Sequence, residues 1–180
     1  MAQGANGEGG DNRRQSLLYW RQLGQLKAAC ICIRLYRNRL GRRVTAVEIV
    51  KAVASSGGIA GWVIWKDIPF VWTGIIVAAQ LLDALKNVFP FARQHKAAGD
   101  LTVALEVIYI DAEHEWERIY GGQLSNAEIM KRRTQLRKLQ LEAERKHFPE
   151  GFDPPAKLVA LASGDADAYF SVTFSEGEVQ

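Results

Sequence analysis

The chain reads AVASSGGIAGWVIW from Ala52 to Trp65 and IPFVWTGIIVAAQLL from Ile68 to Leu82, and only Lys66-Asp67 separates these two apolar stretches. A membrane-spanning helix needs about 20 mostly apolar residues to cross a hydrocarbon core of roughly 30 Å. Residues 44–65 and 68–89 both reach that length, although charged side chains lie near their outer ends. The pattern therefore predicts two membrane spans that form a helical hairpin with a tight turn.

Two groups of residues favour a membrane hairpin over two buried helices of a soluble bundle. Aromatic side chains concentrate at membrane surfaces, and four of them lie close to the predicted turn. Glycine costs about 1 kcal/mol relative to alanine in a soluble helix, yet small residues are favoured where membrane helices touch. The aromatic residues are Trp62, Trp65, Phe70 and Trp72, and the glycines are Gly57, Gly58, Gly61 and Gly74. A soluble helical bundle remains the alternative.

Basic residues on both outer flanks of the hairpin indicate its orientation. Arg34, Arg37, Arg39, Arg42 and Arg43 precede the first span, and Lys86, Arg93 and Lys96 follow the second. The turn carries one Lys and one Asp, so it has almost no positive bias. Because positive flanks stay on the cytoplasmic side, we predict a multi-pass protein of the inner membrane with both termini in the cytoplasm. The net charge of +3 is modest, and we expect no nucleic-acid partner.

The rest of the chain is predicted to be helical, which makes the fold class all-α. Leu23, Leu26, Cys30, Ile33 and Leu40 repeat at helical spacing and predict a first amphipathic helix over 17–40. A second set at the same spacing predicts a helix over about 97–120. Its members are Leu101, Leu105, Ile108, Ala112, Trp116 and Ile119.

Helix-end signals place the last predicted helix. Gly121-Gly122 is typical of a helix C-terminus, and Ser125 followed by Glu128 is typical of a capping box. A narrow apolar stripe of Ile129, Leu136, Leu139 and Ala143 then predicts a helix over about 126–148. The glycine-rich residues 1–14 are predicted to be disordered. Residues 151–180 are predicted to form a flexible tail, in which 169–174 alternates weakly like a strand.

The sequence offers no set of residues that indicates an enzyme. Cys30 and Cys32 point to different faces of a helix, so we expect two reduced packing residues. The densest cluster of titratable groups is Asp111, Glu113, His114, Glu115 and Glu117. Asp111 and His114 share a helix face, but the pair of histidines four residues apart that marks a zinc helix is absent. We predict a solvated acidic face, paired with a basic helix, and no catalytic residue, metal ion or cofactor.

Polar residues within the predicted spans are the candidate functional residues. They repeat at intervals of three and four, as Glu48, Lys51 and Ser55 in the first span and as Thr73, Gln80, Asp83 and Asn87 in the second. Polar groups at membrane depth face a bundle interior or a water-filled path, because lipid cannot satisfy them. Since two helices cannot enclose a channel, lining a pore requires a homo-oligomer. The alternative is that these groups join one hairpin to its neighbour through hydrogen bonds.

The order of these elements resembles the SLATT domain, a two-helix membrane effector found beside nucleotide-signalling modules in bacterial defence operons. The resemblance covers about residues 15–150, and its most telling stretches follow the hairpin. These stretches are Trp116-Glu117-Arg118-Ile119, Gly122-Gln123-Leu124-Ser125-Asn126-Ala127-Glu128-Ile129, Leu136 and Phe148-Pro149. The resemblance implies an effector that oligomerises in the lipid bilayer and permeabilises the inner membrane on a signal from a partner sensor. It supplies no catalytic residues.

Two other functions remain open on the sequence alone. A membrane-anchored scaffold would recruit a partner through its basic helices and would never open a pore. A soluble helical-bundle interaction protein would use the same helices without a bilayer. Membrane fractionation separates the soluble protein from the other two, and dye leakage separates the effector from the scaffold.

Overall fold

The computed structural model of the chain describes residues 4–64, 69–84 and 91–175, and every element within these ranges is a helix. The helices are α1 (Gly4–Ile64), α2 (Pro69–Ala84), α3 (Phe91–Tyr120), α4 (Asn126–His147) and α5 (Ala156–Ser175). The prediction of an all-α fold is thus confirmed. Among the same residues, no helix combines the length and the apolar character that crossing a membrane requires. The predicted turn at 66–68 and the end of the second span at 85–89 lie outside the described residues.

The chain divides into two compact units. The bundle unit contains Met1–Tyr36 and Ala97–Gln180, and the apolar unit contains Arg37–Lys96. The sequence predicts one domain over 15–150 followed by a tail. The structure differs because residues 37–96 form a compact unit of their own, and because residues beyond 150 belong to the bundle unit.

The core of the bundle unit is built from the predicted apolar faces of α1 and α3. Leu23, Leu26 and Ile33 of α1 are fully buried, as is Leu101 of α3. Leu105, Ala112 and Ile119 of α3 are also buried, and so are Ile129 and Leu136 of α4. Burying one Leu or Ile side chain contributes about 1.5–3 kcal/mol. The helical repeat read from the sequence therefore identifies the surfaces that hold these three helices together.

Two buried polar residues of α1 donate hydrogen bonds to backbone carbonyls of the neighbouring helices. The Tyr19 hydroxyl donates to the carbonyl oxygen of Ala112 on α3 at 3.1 Å. The Gln22 amide nitrogen donates to the carbonyl oxygen of Arg133 on α4 at 3.2 Å. Burial raises the pKa of Tyr19 to about 12, so its hydroxyl keeps the proton that it donates. Both polar groups thereby avoid the cost of burial without a partner.

Both predicted helix-end motifs between α3 and α4 are present. Gly122 has a φ of +69°, and the amides of Gly122 and Gln123 donate to the carbonyls of Ile119 and Arg118. This is the Schellman arrangement that favours glycine at this position. Ser125 and Glu128 then form the predicted capping box. Hydrogen bonds from the Ser125 hydroxyl and amide hold the pKa of Glu128 below its usual range.

Residues 156–175 form helix α5, whereas the sequence predicts a flexible tail over 151–180. Ala162 and Ala166 are buried, and the Trp20 ring meets the rings of Phe170 and Phe174 edge-on, with both centroid distances at 4.8 Å. These residues recur every four positions, which is helical spacing. The alternation read over 169–174 is therefore not a strand, because the aromatic side chains of this segment pack along one side of a helix against α1.

The N-terminal segment also differs from its prediction. Helix α1 begins at Gly4, within the residues 1–14 that were expected to be disordered. The Ser16 hydroxyl donates to the carbonyl oxygen of Asn12, one turn earlier, at 3.0 Å. Once the packed part of a helix has formed, each further residue adds a hydrogen bond without repeating the cost of nucleation. Extension from the buried residues that begin at Tyr19 accounts for the longer helix.

Candidate functional site

Helix α2 exposes an apolar side in the described part of the apolar unit. Its sequence contains only three polar residues, Thr73, Gln80 and Asp83. Phe70 is 88% exposed, and Val77 and Leu81 are exposed as well. These three residues, with Gly74, follow one another at intervals of four, three and four, so they lie on one side of the helix. We call Phe70, Gly74, Val77 and Leu81 the α2 face.

Two of the seven candidate polar residues lie beside the α2 face. Thr73 and Gln80 are both exposed, and their separation of seven residues, or two turns, places them along one edge of the helix. Asp83 also lies in α2, but its side chain is outside the described part of the structure, and Asn87 is outside it altogether. The structure therefore brings Thr73 and Gln80 onto a common exposed side of α2.

The three candidates of the first predicted span lie in α1. Glu48 is exposed and Lys51 is half-buried, whereas the side chain of Ser55 is outside the described part. Their intervals of three and four residues place them on one side of the helix. This part of α1 also exposes Ile49. The exposed surface of this part of α1 therefore carries both polar and apolar side chains.

Exposed basic side chains accompany the apolar unit in the described residues. Arg39, Arg42 and Arg43 are exposed on α1, and Arg93 and Lys96 are exposed on α3. The Arg43 guanidinium lies 5.4 Å from the centroid of the Phe91 ring, within the range of a cation–π contact. Arg34 instead belongs to the bundle unit, where it pairs with Glu106, so it is not part of this basic flank.

The acidic residues of α3 form hydrogen bonds and ion pairs with different neighbours. Glu113 accepts hydrogen bonds from the hydroxyls of Tyr109 and Tyr169 at 3.0 and 3.4 Å. Glu115 pairs with Arg118 at 3.2 Å and with Arg132 of α4 at 3.5 Å. The predicted pairing of this acidic cluster with a basic helix is therefore present at Glu115. Within the described ranges, His, Cys, Asp and Glu form no group of three or more that is suited to hold a metal ion.

A second candidate site, not predicted from the sequence, is a cavity of about 570 Å³ between α1, α3 and α5. Lys27 lines this cavity, with its ammonium 4.2 Å from the centroid of the Tyr109 ring and 3.8 Å from that of the Tyr169 ring. Burial raises the pKa of Tyr109, and its hydrogen bonds to Tyr169 and Glu113 act in the same direction. Burial likewise raises the pKa of Cys30, in the cavity wall, to about 12. The wall therefore presents a neutral thiol and a neutral phenol at pH 7.

Replacing Lys27 with methionine is expected to loosen α5. The substitution keeps an unbranched side chain but removes the cation that lies on the two tyrosine rings, and such contacts contribute about 1 kcal/mol. Amide hydrogen exchange in α5 should accelerate by about fivefold, since 1 kcal/mol corresponds to that factor. Lys27→Arg retains a cation and serves as the control. Equal exchange in Lys27→Met and in the unmodified chain would show that Lys27 does not hold α5.

Comparisons of this chain with protein-family models, with curated proteins and with solved structures find no match. The resemblance to the SLATT domain therefore stays a prediction from the order and pattern of the elements.

Proposed function

We propose that this chain is a membrane-embedded effector that assembles into oligomers and permeabilises the inner membrane of a bacterium on a signal from a partner sensor. The observation that carries this proposal is the exposed α2 face. An 88% exposed phenylalanine, followed by exposed Val77 and Leu81 on the same side of a helix, is a surface that water solvates poorly. Hydrocarbon chains of lipid are the surroundings that such a surface fits best.

The apolar composition and the basic C-terminal flank of α2 support placement in a bilayer. Its 16 residues rise about 24 Å at 1.5 Å per residue, which approaches the roughly 30 Å of a hydrocarbon core. The predicted span continues to residue 89, outside the described residues. The exposed Arg93 and Lys96 that follow it have the charge that holds a segment on the cytoplasmic side. In this proposal the bundle unit is cytoplasmic and receives the signal.

Permeabilisation requires several copies, because two helices cannot surround a path for water. Thr73 and Gln80, on the edge of the α2 face, supply the polar side chains for the inside of such an assembly. Polar groups in a membrane face a bundle interior or a water-filled path. The apolar residues of the α2 face then contact lipid or the neighbouring hairpin.

Replacing Gln80 with leucine is the test of this function. The variant should insert as well as the unmodified chain, because the change removes an amide from an apolar segment. It should reduce dye entry on overexpression at matched membrane levels, since an apolar constriction tends to lose its water. Gln25→Leu, the same change at an exposed position of α1 in the bundle unit, is the control and should leave dye entry unchanged.

The outcomes separate the effector from the scaffold. Equal toxicity of Gln80→Leu and the unmodified chain removes Gln80 from the water path. Absence of toxicity from both, even when the sensor is active, contradicts the effector and favours a membrane-anchored scaffold. In a scaffold, loss of the Gln80 amide changes association by at most about 1 kcal/mol, the strength of one interhelical hydrogen bond in lipid.

A further inference from the structure

The outer side of α3 carries a row of exposed aliphatic residues that the proposed membrane contact does not use. Val103, Val107 and Ile110 are each more than half exposed. Their intervals of four and three residues align them along one side of the helix, over about 10 Å. We call these three residues the α3 row. It belongs to the bundle unit, which the proposed function places outside the bilayer.

Acidic side chains lie near both ends of the α3 row. Asp100, Asp111 and Glu117 are all exposed on α3. Asp100 and Asp111 lie within one turn of the row, and Glu117 lies two turns beyond Ile110. An anionic lipid surface would be repelled by these carboxylates. A second α3 row is an unfavourable partner as well, since it would bring like charges together. The row therefore fits an apolar surface that carries cations.

The outer side of α4 has that chemistry. Met130 and Leu141 are exposed and lie about 16 Å apart along one side of the helix. Four exposed basic residues lie near Met130 and Leu141, namely Lys131, Arg137, Lys138 and Arg145. Two exposed acids, Glu128 and Glu142, lie close to them. We call Met130, Leu141 and these four cations the α4 face.

We infer that the α3 row of one copy packs against the α4 face of a second copy. The row is shorter than the distance between Met130 and Leu141, so its three aliphatic side chains fit between them, over the aliphatic part of Arg137. The carboxylates of Asp100, Asp111 and Glu117 then oppose the cations of α4. Complementary charges of this kind set the register and exclude wrong partners.

The contact joins two different surfaces, which determines the kind of assembly. Each copy uses its α3 row on one neighbour and keeps its α4 face for another. Such a head-to-tail contact closes into a ring or continues as a filament. This inference rests on the proposed function, because it names the surfaces through which the effector oligomerises. Its test measures assembly, whereas the Gln80→Leu test measures the water path.

The experiment uses the full chain in detergent micelles and measures mass by light scattering after size-exclusion chromatography. Val107→Glu disables the α3 row, and Leu141→Glu disables the α4 face, because each buries a carboxylate in an apolar contact. Each variant alone should associate at least about tenfold more weakly than the unmodified chain, a change of 1.4 kcal/mol. Leu17→Glu, at a 53% exposed position of α1, should assemble normally.

Mixing the two variants gives the sharpest readout. The intact α3 row of Leu141→Glu can dock on the intact α4 face of Val107→Glu, so the mixture should form dimers and nothing larger. Charge reversal supplies a second test: Asp111→Lys should weaken assembly, and Lys138→Glu in the same chain should restore it. Equal helix content by circular dichroism confirms that each variant is folded.

Three results would overturn the inference. The first is an unmodified chain that stays monomeric at every concentration. The second is loss of assembly in Val107→Glu with none in Leu141→Glu, which indicates a symmetric contact between two α3 rows. The third is normal assembly of Leu141→Glu with loss of binding to vesicles of anionic lipid, which assigns the α4 face to the membrane. The first result would also contradict the oligomer of the proposed function. The second and third results leave the leakage test of Gln80→Leu unaffected.

Discussion

Replacing Val77 with aspartate is expected to release most of the protein from the membrane fraction. Val77 lies at the middle of α2, on its exposed apolar side. Aspartate at the centre of an inserted helix costs about 2.5–3.5 kcal/mol, and about 3 kcal/mol lowers partitioning by roughly a hundredfold. Carbonate-washed membranes, probed for the protein after fractionation of cells, give the measurement. Dye entry should be lost together with membrane binding.

Ala160→Asp provides the matched control, because it places the same charge at an exposed position of α5 in the bundle unit. It should leave fractionation unchanged. If Val77→Asp stays with the membrane as firmly as this control, α2 is not in contact with hydrocarbon, and the membrane effector has to be abandoned. If both variants leave the membrane, the net charge of the protein, which each aspartate lowers from +3 to +2, decides its binding instead.

The second large effect is expected for stability, from replacing Leu26 with alanine. Leu26 is fully buried between the helices of the bundle unit. Removing a buried leucine side chain loses its transfer free energy and leaves a cavity, at a cost of about 3 kcal/mol. The melting temperature of the bundle unit should fall by roughly 10 °C. Thermal unfolding followed by circular dichroism measures this change.

Leu17→Ala is the control on the same helix. Leu17 is 53% exposed, so its truncation should change the free energy of unfolding by no more than about 0.5 kcal/mol. Similar melting temperatures for the two variants would contradict the assignment of Leu26 to the core. The pair separates burial from helix propensity, because both substitutions replace leucine with alanine in α1.

The sequence predicts helices well where an apolar repeat agrees with local end signals. Over α3 and α4, the repeat that includes Leu101 and Leu105 agrees with the glycine at 122 and with the capping box at Ser125. Each signal alone is weak, but all of them specify the same two helices. The predicted bounds, 97–120 and 126–148, therefore lie close to the observed C-terminus of α3 and to both ends of α4.

The packing of helix α5 could not be predicted from the sequence. Its buried residues Ala162 and Ala166 are small, so they contribute little to an apolar repeat, and its aromatic residues concentrate at the end of the helix. Burial of α5 depends on Trp20 and Lys27, which lie far away in the sequence. Local patterns carry no information about such partners. The cavity around Lys27 could not be predicted for the same reason, because its lining residues come from α1, α3 and α5.

The candidate polar residues could be predicted as positions along helices but not as a site. The helical period places Thr73 and Gln80 on one side of α2, as the structure does. The period does not determine which helix a polar stripe meets. Pore lining by these residues, or their hydrogen bonding between hairpins, stays a prediction, because each depends on packing rather than on local spacing.

The discontinuous bundle unit constrains the order in which the chain can fold. Residues 37–96 are contiguous, whereas the part of α1 before residue 37 must wait for partners that are made much later. Tyr19 bonds to a residue 93 positions onward, and Gln22 to one 111 positions onward. Contacts of such separation form slowly, and an apolar surface left open during synthesis is prone to aggregate. We therefore expect the apolar face around Leu23 and Leu26 to stay uncovered during synthesis until α3, α4 and α5 have been made.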